Sequence, residues 1–131
     1  MEAVCSTGRI YFVRELRPDI VTKRSENIVR VTGRLVDHDF SSCLVLIEDP
    51  SAKNHLLTVN TAFIEPFHSA GGSLFQFLGE LSLNDDSGGL VLQAFVSRCV
   101  DGLDMKLYEL AVENERRFLT EREKLDQKTM T

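Results

Sequence analysis

A chain of 131 residues with 43% apolar content is long enough to build one domain around its own core. Its net charge of −5 argues against a protein that grips phosphates unaided, and no apolar run approaches the roughly 20 residues of a membrane helix. Cys5, Cys43 and Cys99 are odd in number and far apart, and Arg9 and Arg14 interrupt any apolar N-terminal segment. A reducing compartment, cytosol or nucleus, is therefore expected, with neither a disulfide framework nor a secretory leader.

The charges are unevenly spread. Residues 1–34 carry seven Lys/Arg against four acids, residues 35–97 only Lys53 against eight acids, and residues 98–131 seven basic against eight acidic residues. The middle of the chain is thus anionic, and no basic stripe of the kind that tracks a nucleic-acid backbone runs through it.

In chain order, Ile10–Val13 reads as an edge strand, and Pro18 with the polar stretch to Glu26 as a loop. Asn27–Asp37 predicts a strand with Val29, Val31 and Leu35 on one face around Gly33. Asp37–Ser41 reads as a turn, Ser42–Glu48 as a buried strand, Asp49–Asn54 as a turn and His55–Val59 as a third strand. Asn60 or Thr61 can cap a short helix through Ala62-Phe63-Ile64, closed by Pro66 and Gly71-Gly72. Ser73–Leu83 is the fourth strand, Asn84–Gly89 a hairpin turn and Leu90–Val100 the fifth strand.

Two of these strands, Arg30-Val-Thr-Gly-Arg-Leu35 and Leu74-Phe-Gln-Phe-Leu-Gly-Glu-Leu81, hold a glycine at their centre. Glycine there packs nothing and costs backbone entropy, so it marks a bulge or the corner of a small barrel. Phe75 and Phe77 share a strand face and read as core. Gln76 lies on the other face, where burial without partners would be costly. The roles of Phe67 and His68, after Pro66, stay open.

From Leu103 to about Lys124, Leu107, Leu110, Ala111, Phe118, Arg122 and Leu125 recur at helical offsets, with Asn114 interrupting the line. Asp101 or Asp104 supplies the cap. Five strands, a short helix between the third and fourth, and a C-terminal helix give an all-β, five-stranded Greek-key barrel of the OB-fold type. The expected organisation is an N-terminal extension (1–26), the barrel (27–102), a partner-binding helix (103–125) and a frayed tail (126–131).

The run Phe63-Ile-Glu-Pro-Phe-His68, followed by Gly72-Ser-Leu-Phe75, Leu78-Gly-Glu-Leu81 and Cys99-Val-Asp-Gly-Leu-Asp104, resembles the Ten-type small subunit of the CST complex. Leu107-Tyr-Glu-Leu-Ala111 and Glu115-Arg-Arg-Phe118 continue the likeness, which spans about residues 28–125 and leaves the first 27 residues unmatched. The resemblance implies a non-enzymatic subunit of a single-stranded-DNA-binding telomere assembly, located in the nucleus at chromosome ends. It would pair through its C-terminal helix with a larger Stn-type OB subunit. It would also work with a third large CST subunit, and aid C-strand fill-in by DNA polymerase alpha–primase. No cofactor is implied.

The residues carry their own alternatives. Leu107, Leu110 and Ala111 can cover one end of their own barrel or face a partner. Phe118 and Leu125 lie about 16–27 Å beyond Leu107 at 1.5 Å per residue, where a small barrel offers little surface, so they should meet a partner. Arg122 can pair with a partner carboxylate or with an acid of its own helix. For nucleic acid the candidates are Arg30, Arg34, Lys53, His55 and Arg98. The second and third strands, the usual OB binding face, hold no aromatic for base stacking, and Phe40 sits only in the adjoining turn. DNA contact is expected to be auxiliary, made as part of the assembly.

Enzymatic readings find little support. Asp37-His38-Asp39 is an extended turn whose side chains cannot all aim at one point. His55 and His68 are isolated, the glycine pairs lack phosphate-loop spacing, and each lone cysteine reads as core. The competing functional classes are an autonomous single-stranded nucleic-acid-binding module and an OB adaptor of another DNA-repair complex.

Overall fold

Alternating apolar side chains along five runs build the centre of the molecule. The computed structural model describes residues 9–21, 27–68, 71–84 and 89–130, except for the side chains of Ile20, Glu123 and residues 125–130. The strands are β1 (Arg9–Phe12), β2 (Ile28–Asp39), β3 (Leu44–Glu48), β4 (Leu56–Asn60), β5 (Leu74–Leu83) and β6 (Leu90–Cys99); the helix α1 is Met105–Met130. Strands β2 to β6 close a barrel in the order β2-β3-β4-β6-β5, with β5 pairing back onto β2. Only β4 and β6 are parallel within it. This is the OB connectivity the sequence predicts.

The core follows the period of two. Val29, Val31 and Leu35 of β2 meet Val45, Ile47, Leu57 and Val59 of β3 and β4, and Phe75, Phe77, Leu81, Leu92 and Ala94 of β5 and β6, all buried. Each such large side chain removed from water contributes about 1.5–3 kcal/mol before entropy is counted. Phe67 joins this core, tilted against Phe75 at 5.1 Å and Phe77 at 5.8 Å, which gives it the structural role that the sequence left open. His68 stays exposed.

The two strand glycines mark close approaches of different kinds. A Cβ on Gly33 would lie 2.7 Å from Ile47 Cδ1, a fully buried side chain. Gly33 sits where β2 hands over from one neighbour to the next: Arg34 pairs with both Leu74 of β5 and Glu48 of β3. A Cβ on Gly79 would strike the backbone, with the Gln93 carbonyl nearest and Ala94 Cα at 2.9 Å. Here the β5–β6 register slips by one residue, so that Leu78 faces Val96 while Gly79 faces Ala94, leaving Phe95 as the bulged residue. A second bulge places Val36 between the Leu35–Ile47 and Asp37–Leu46 pairs.

Several boundaries differ from the sequence expectation. β2 runs on to Asp39, so the turn falls at residues 40–43, where Cys43 adopts a positive φ of 58°. Cys43 is half-buried and Cys99 exposed, so the expectation of core cysteines fails for both; Cys5 lies outside the described residues. The short helix Ala62–Ile64 is present as a 3-10 turn, and Asn60 rather than Thr61 serves its start, Asn60 Oδ1 accepting the Ala62 N–H at 2.9 Å. The segment after β1 is less loop-like than read, with 3-10 turns at Val13–Glu15 and Pro18–Ile20.

β1 lies parallel to Val29–Thr32 of β2, on the edge that β3 takes over from Arg34 onward. A charge clamp fastens this segment. The Asp49 carboxylate accepts from the Arg14 N–H at 3.0 Å and from the Arg14 guanidinium at 3.1 Å, and also from the Ser51 and Ala52 amides. The same guanidinium sits 4.3 Å over the Phe12 ring.

The chain divides into two compact units, Met1–Asp101 and Gly102–Thr131. α1 starts later than the expected Leu103 and continues past Lys124 to Met130; no Gly or Pro interrupts Met105–Met130. Asp104 is the cap, its Oδ1 accepting the Leu107 N–H at 3.2 Å and its carbonyl the Tyr108 N–H at 2.9 Å. Asp101 does other work, described below.

Candidate partner and nucleic-acid surfaces

α1 carries two apolar stripes on different sides. Leu107, Leu110, Ala111, Asn114, Phe118 and Arg122 are all exposed, Leu107 at 64% and Phe118 at 61%. Leu125 is helical, with its side chain outside the described residues. Val112, by contrast, is 5% exposed. At 100° per residue it lies about 140° round the helix from Leu107, and Met105, Tyr108 and Arg116, all half-buried, share its side. The face carrying Leu107, Leu110 and Ala111 is exposed, and the spacing 105, 108, 112, 116 marks the less exposed side of the helix.

An exposed row of Leu107, Leu110 and Phe118 is costly to leave in water and is the usual mark of a face shaped for another chain. Leu119, 48% exposed, lies seven residues after Val112 and so on that side of the helix, outside the row through Leu107. Arg122 is exposed beside Phe118, one turn on.

The basic candidates do not form one patch. Arg30 and Arg98 converge: Arg98 Nη2 donates to Gln76 Oε1 at 3.1 Å and Arg30 Nη1 to the same oxygen at 3.5 Å. Gln76 Nε2 in turn donates to Thr32 Oγ1 at 3.2 Å. Thr32, Gln76 and Arg98 stand in register across β2, β5 and β6. The burial of Gln76, which the sequence reading priced as costly, is therefore compensated by named partners. Arg34 instead points to the Gly72 carbonyl at 2.7 Å. Lys53 and His55 are exposed in the β3–β4 turn, outside the Gln76 network that joins Arg30 and Arg98.

The concave face typical of OB ligands is present and chemically different. It is lined by Leu44 of β3, Thr58 and Asn60 of β4, and Leu90 and Val91 of β6, with Ser42, Asn84 and Gly89 at its mouth. None of these is basic or aromatic. Beside it, His38 does not join its two aspartates but stacks on Phe40 at 3.9 Å and meets Phe67 edge-on at 5.8 Å. A second exposed aromatic pair, Phe63 of the 3-10 turn and the bulged Phe95, lies at 6.3 Å and had no sequence signal beyond composition.

Three carboxylates are held below their usual range by the bonds they accept. Glu65 is lowered first by the Thr61 hydroxyl at 2.6 Å and then by the Phe67 N–H at 3.1 Å. Asp101 is lowered by the Leu74 N–H at 2.7 Å and the Ser73 hydroxyl at 3.0 Å, fastening the end of β6 to the start of β5. Asp39 is lowered chiefly by Ser41, whose hydroxyl donates at 2.8 Å.

Comparison with known proteins follows this geometry. Residues 4–122 match the family described as "Telomere-capping, CST complex subunit", so the match begins well before residue 28. The chain is 34% identical over 109 residues to the CST complex subunit TEN1 of Arabidopsis thaliana, covering 83% of this chain and 84% of that one. It is 37% identical over 95 residues to the human CST complex subunit TEN1, covering 72% and 76%. Among solved structures, the S. pombe Stn1-ten1 complex aligns with a TM-score of 0.50 over 75% of this chain and 74% of its own, at 12% identity. The hypothetical protein ygiW of E. coli aligns at 0.52 and 16% identity over 71% and 91%. At such identities these two structures speak for the fold alone. The chain belongs to the Ten1-type family of telomere-capping CST complex subunits.

Proposed function

We propose that this chain is the small, non-catalytic OB subunit that pairs through the wet face of α1 with a larger Stn-type OB subunit. The pair would serve a single-stranded-DNA-binding assembly at telomeres in the nucleus. The observation that carries the reading is the exposed stripe Leu107, Leu110, Phe118 on a helix whose Val112 side is separately buried. Ala111 and Asn114 fill the stripe, Leu125 extends it, and Arg122 is placed to meet a partner carboxylate. The co-crystallised Stn1 and Ten1 of S. pombe supply the kind of partner. The anionic barrel and its uncharged concave face support a stabilising role over independent DNA capture. Arg30, Arg34, Lys53, His55 and Arg98 would add backbone contacts only once the third large subunit and the DNA are in place. Fill-in by DNA polymerase alpha–primase would be aided through the assembly rather than by chemistry of this chain.

The test is co-purification with the Stn-type subunit. Phe118→Ala with Arg122→Glu should strongly weaken pairing while the melting temperature of the free chain stays near the parent's. Pairing that survives the double substitution would sink the assignment of this face.

A further inference from the structure

One polar residue stands on the apolar line of α1. Counted at 100° per residue, Leu107, Asn114, Phe118 and Leu125 fall within about 20° of a common line along the helix. Leu110 and Glu121 flank that line on one side, Ala111 and Arg122 on the other, each about 40–60° away. Leu107, Asn114 and Phe118 are all exposed. The Asn114 amide makes no side-chain hydrogen bond among the described residues. By contrast Thr120, two residues past Phe118, turns its hydroxyl back to the Arg116 carbonyl at 2.9 Å. Asparagine is also a weaker helix former than alanine, leucine or lysine, so the free helix gains nothing from it.

We propose that Asn114 sets the register of pairing, by meeting an amide side chain, Asn or Gln, at the centre of the apolar stripe of a partner helix. The proposal rests on the reading of this face as the contact with the larger Stn-type subunit. The line from Leu107 to Leu125 runs about 27 Å along the axis at 1.5 Å per residue. A helix lying nearly alongside covers such a length while keeping its own backbone hydrogen-bonded. Glu121 and Arg122 can lead their charges out of that contact along flexible stems, one from each flank. Asn114 cannot, because its side chain is short and lies on the line itself. Once Leu107 and Phe118 are covered, its amide loses water, and leaving it without a partner would weaken pairing about tenfold or more. An amide is both donor and acceptor, so a second amide satisfies it in both respects. Ala111, three residues earlier, lets the two backbones approach closely at that level, and Phe118, four residues later, fills the space beyond. Any shifted register would set Asn114 against a purely apolar side chain. One amide in an apolar seam thus fixes alignment at some cost in affinity.

The test uses the full chain and the purified Stn-type subunit, with affinity read by calorimetry. Asn114→Leu should weaken pairing about tenfold, although the melt of the free chain holds or rises because leucine is the better helix former. The partner's Asn and Gln residues are then replaced by leucine one at a time. One position should weaken pairing with the parent and restore it with Asn114→Leu, the sign of direct coupling. Unchanged or tighter pairing of Asn114→Leu overturns the proposal, and so does the lack of any rescuing position. Phe118→Ala with Arg122→Glu separates this outcome from the reading beneath it. If that variant loses pairing while Asn114→Leu keeps it, the face stands and only the role of Asn114 falls. If both pair as the parent does, or if the parent dimerises and leaves the Stn-type subunit unbound, the reading of the face falls as well.

Discussion

The barrel and the helix spend their apolar residues differently. In the barrel, alternation assigns a large apolar side chain to the interior almost position by position, from Val29 and Val31 to Leu92 and Ala94. In α1, one side carries buried Val112 while the opposite side leaves Leu107, Leu110 and Phe118 in water. A barrel closes on itself and satisfies its own pattern; a helix with two apolar sides has one side too many for a single chain. Stability should therefore be written in the barrel and assembly in the helix, and substitutions can separate the two.

The largest effect is expected inside the barrel. Gly79→Val must force the Gln93 backbone aside, and a loss of about 3 kcal/mol or failure to fold is expected in a denaturant titration. Gly33→Val presses on the Ile47 side chain, which can yield in part, so about 1–2 kcal/mol is expected there. If both variants melt like the parent, the two glycines are not structural corners. Next comes Phe118→Ala on the helix, for which about 2 kcal/mol of pairing energy should vanish, as at other aromatic anchors. Calorimetry against the larger subunit reads that loss, and a melt that fell with it would erase the division between the two regions.

The pH dependence tests the barrel's clasp. Because Asp101 titrates below its ordinary value when folded, its contribution is fully present above about pH 4 and fades as pH falls through the lowered value. Asp101→Asn should thus lower stability at neutral pH, where the contribution is full, flatten the acid limb, and converge with the parent in acid. An acid limb identical in both proteins would remove the clasp from the account. The smallest effect belongs to charge: reversing Arg34 and Lys53 together should reduce DNA affinity of the whole assembly by a modest factor, without touching folding or pairing. Nanomolar binding of an oligonucleotide by the free chain in physiological salt would contradict that ranking.

Much of the barrel was legible because one period runs through it. Alternation placed Phe75 and Phe77 inside, and the glycines of β2 and β5 located the close approaches. What alternation cannot reveal is a slip in its own register. Phe95 faces outward in phase with buried Leu92 and Ala94 and lies near Phe63, but the bulge opposite Leu78 and Gly79 leaves Val96 outward as well, where a strict period of two would bury it. Helical spacing likewise picks the most apolar line and hides the second: Leu107 to Leu125 was found, Met105 to Arg116 was not. Gln76 was read as a cost because its compensating partners, Thr32 and Arg98, are far away in sequence and adjacent only across the sheet. The same distance hid the meeting of Arg14 with Asp49.

That clamp has a consequence for solubility. β1 occupies the stretch of β2, Val29–Thr32, that β3 does not reach, and Arg14 pins it there through Asp49. Without that short parallel strand, backbone donors and acceptors of β2 would face water along a hydrophobic edge, a template on which strands of other chains can add. The N-terminal segment thus guards the barrel against edge-to-edge aggregation. Trimming the chain back to the minimal five-stranded barrel would uncover Val29–Thr32 of β2 on that side.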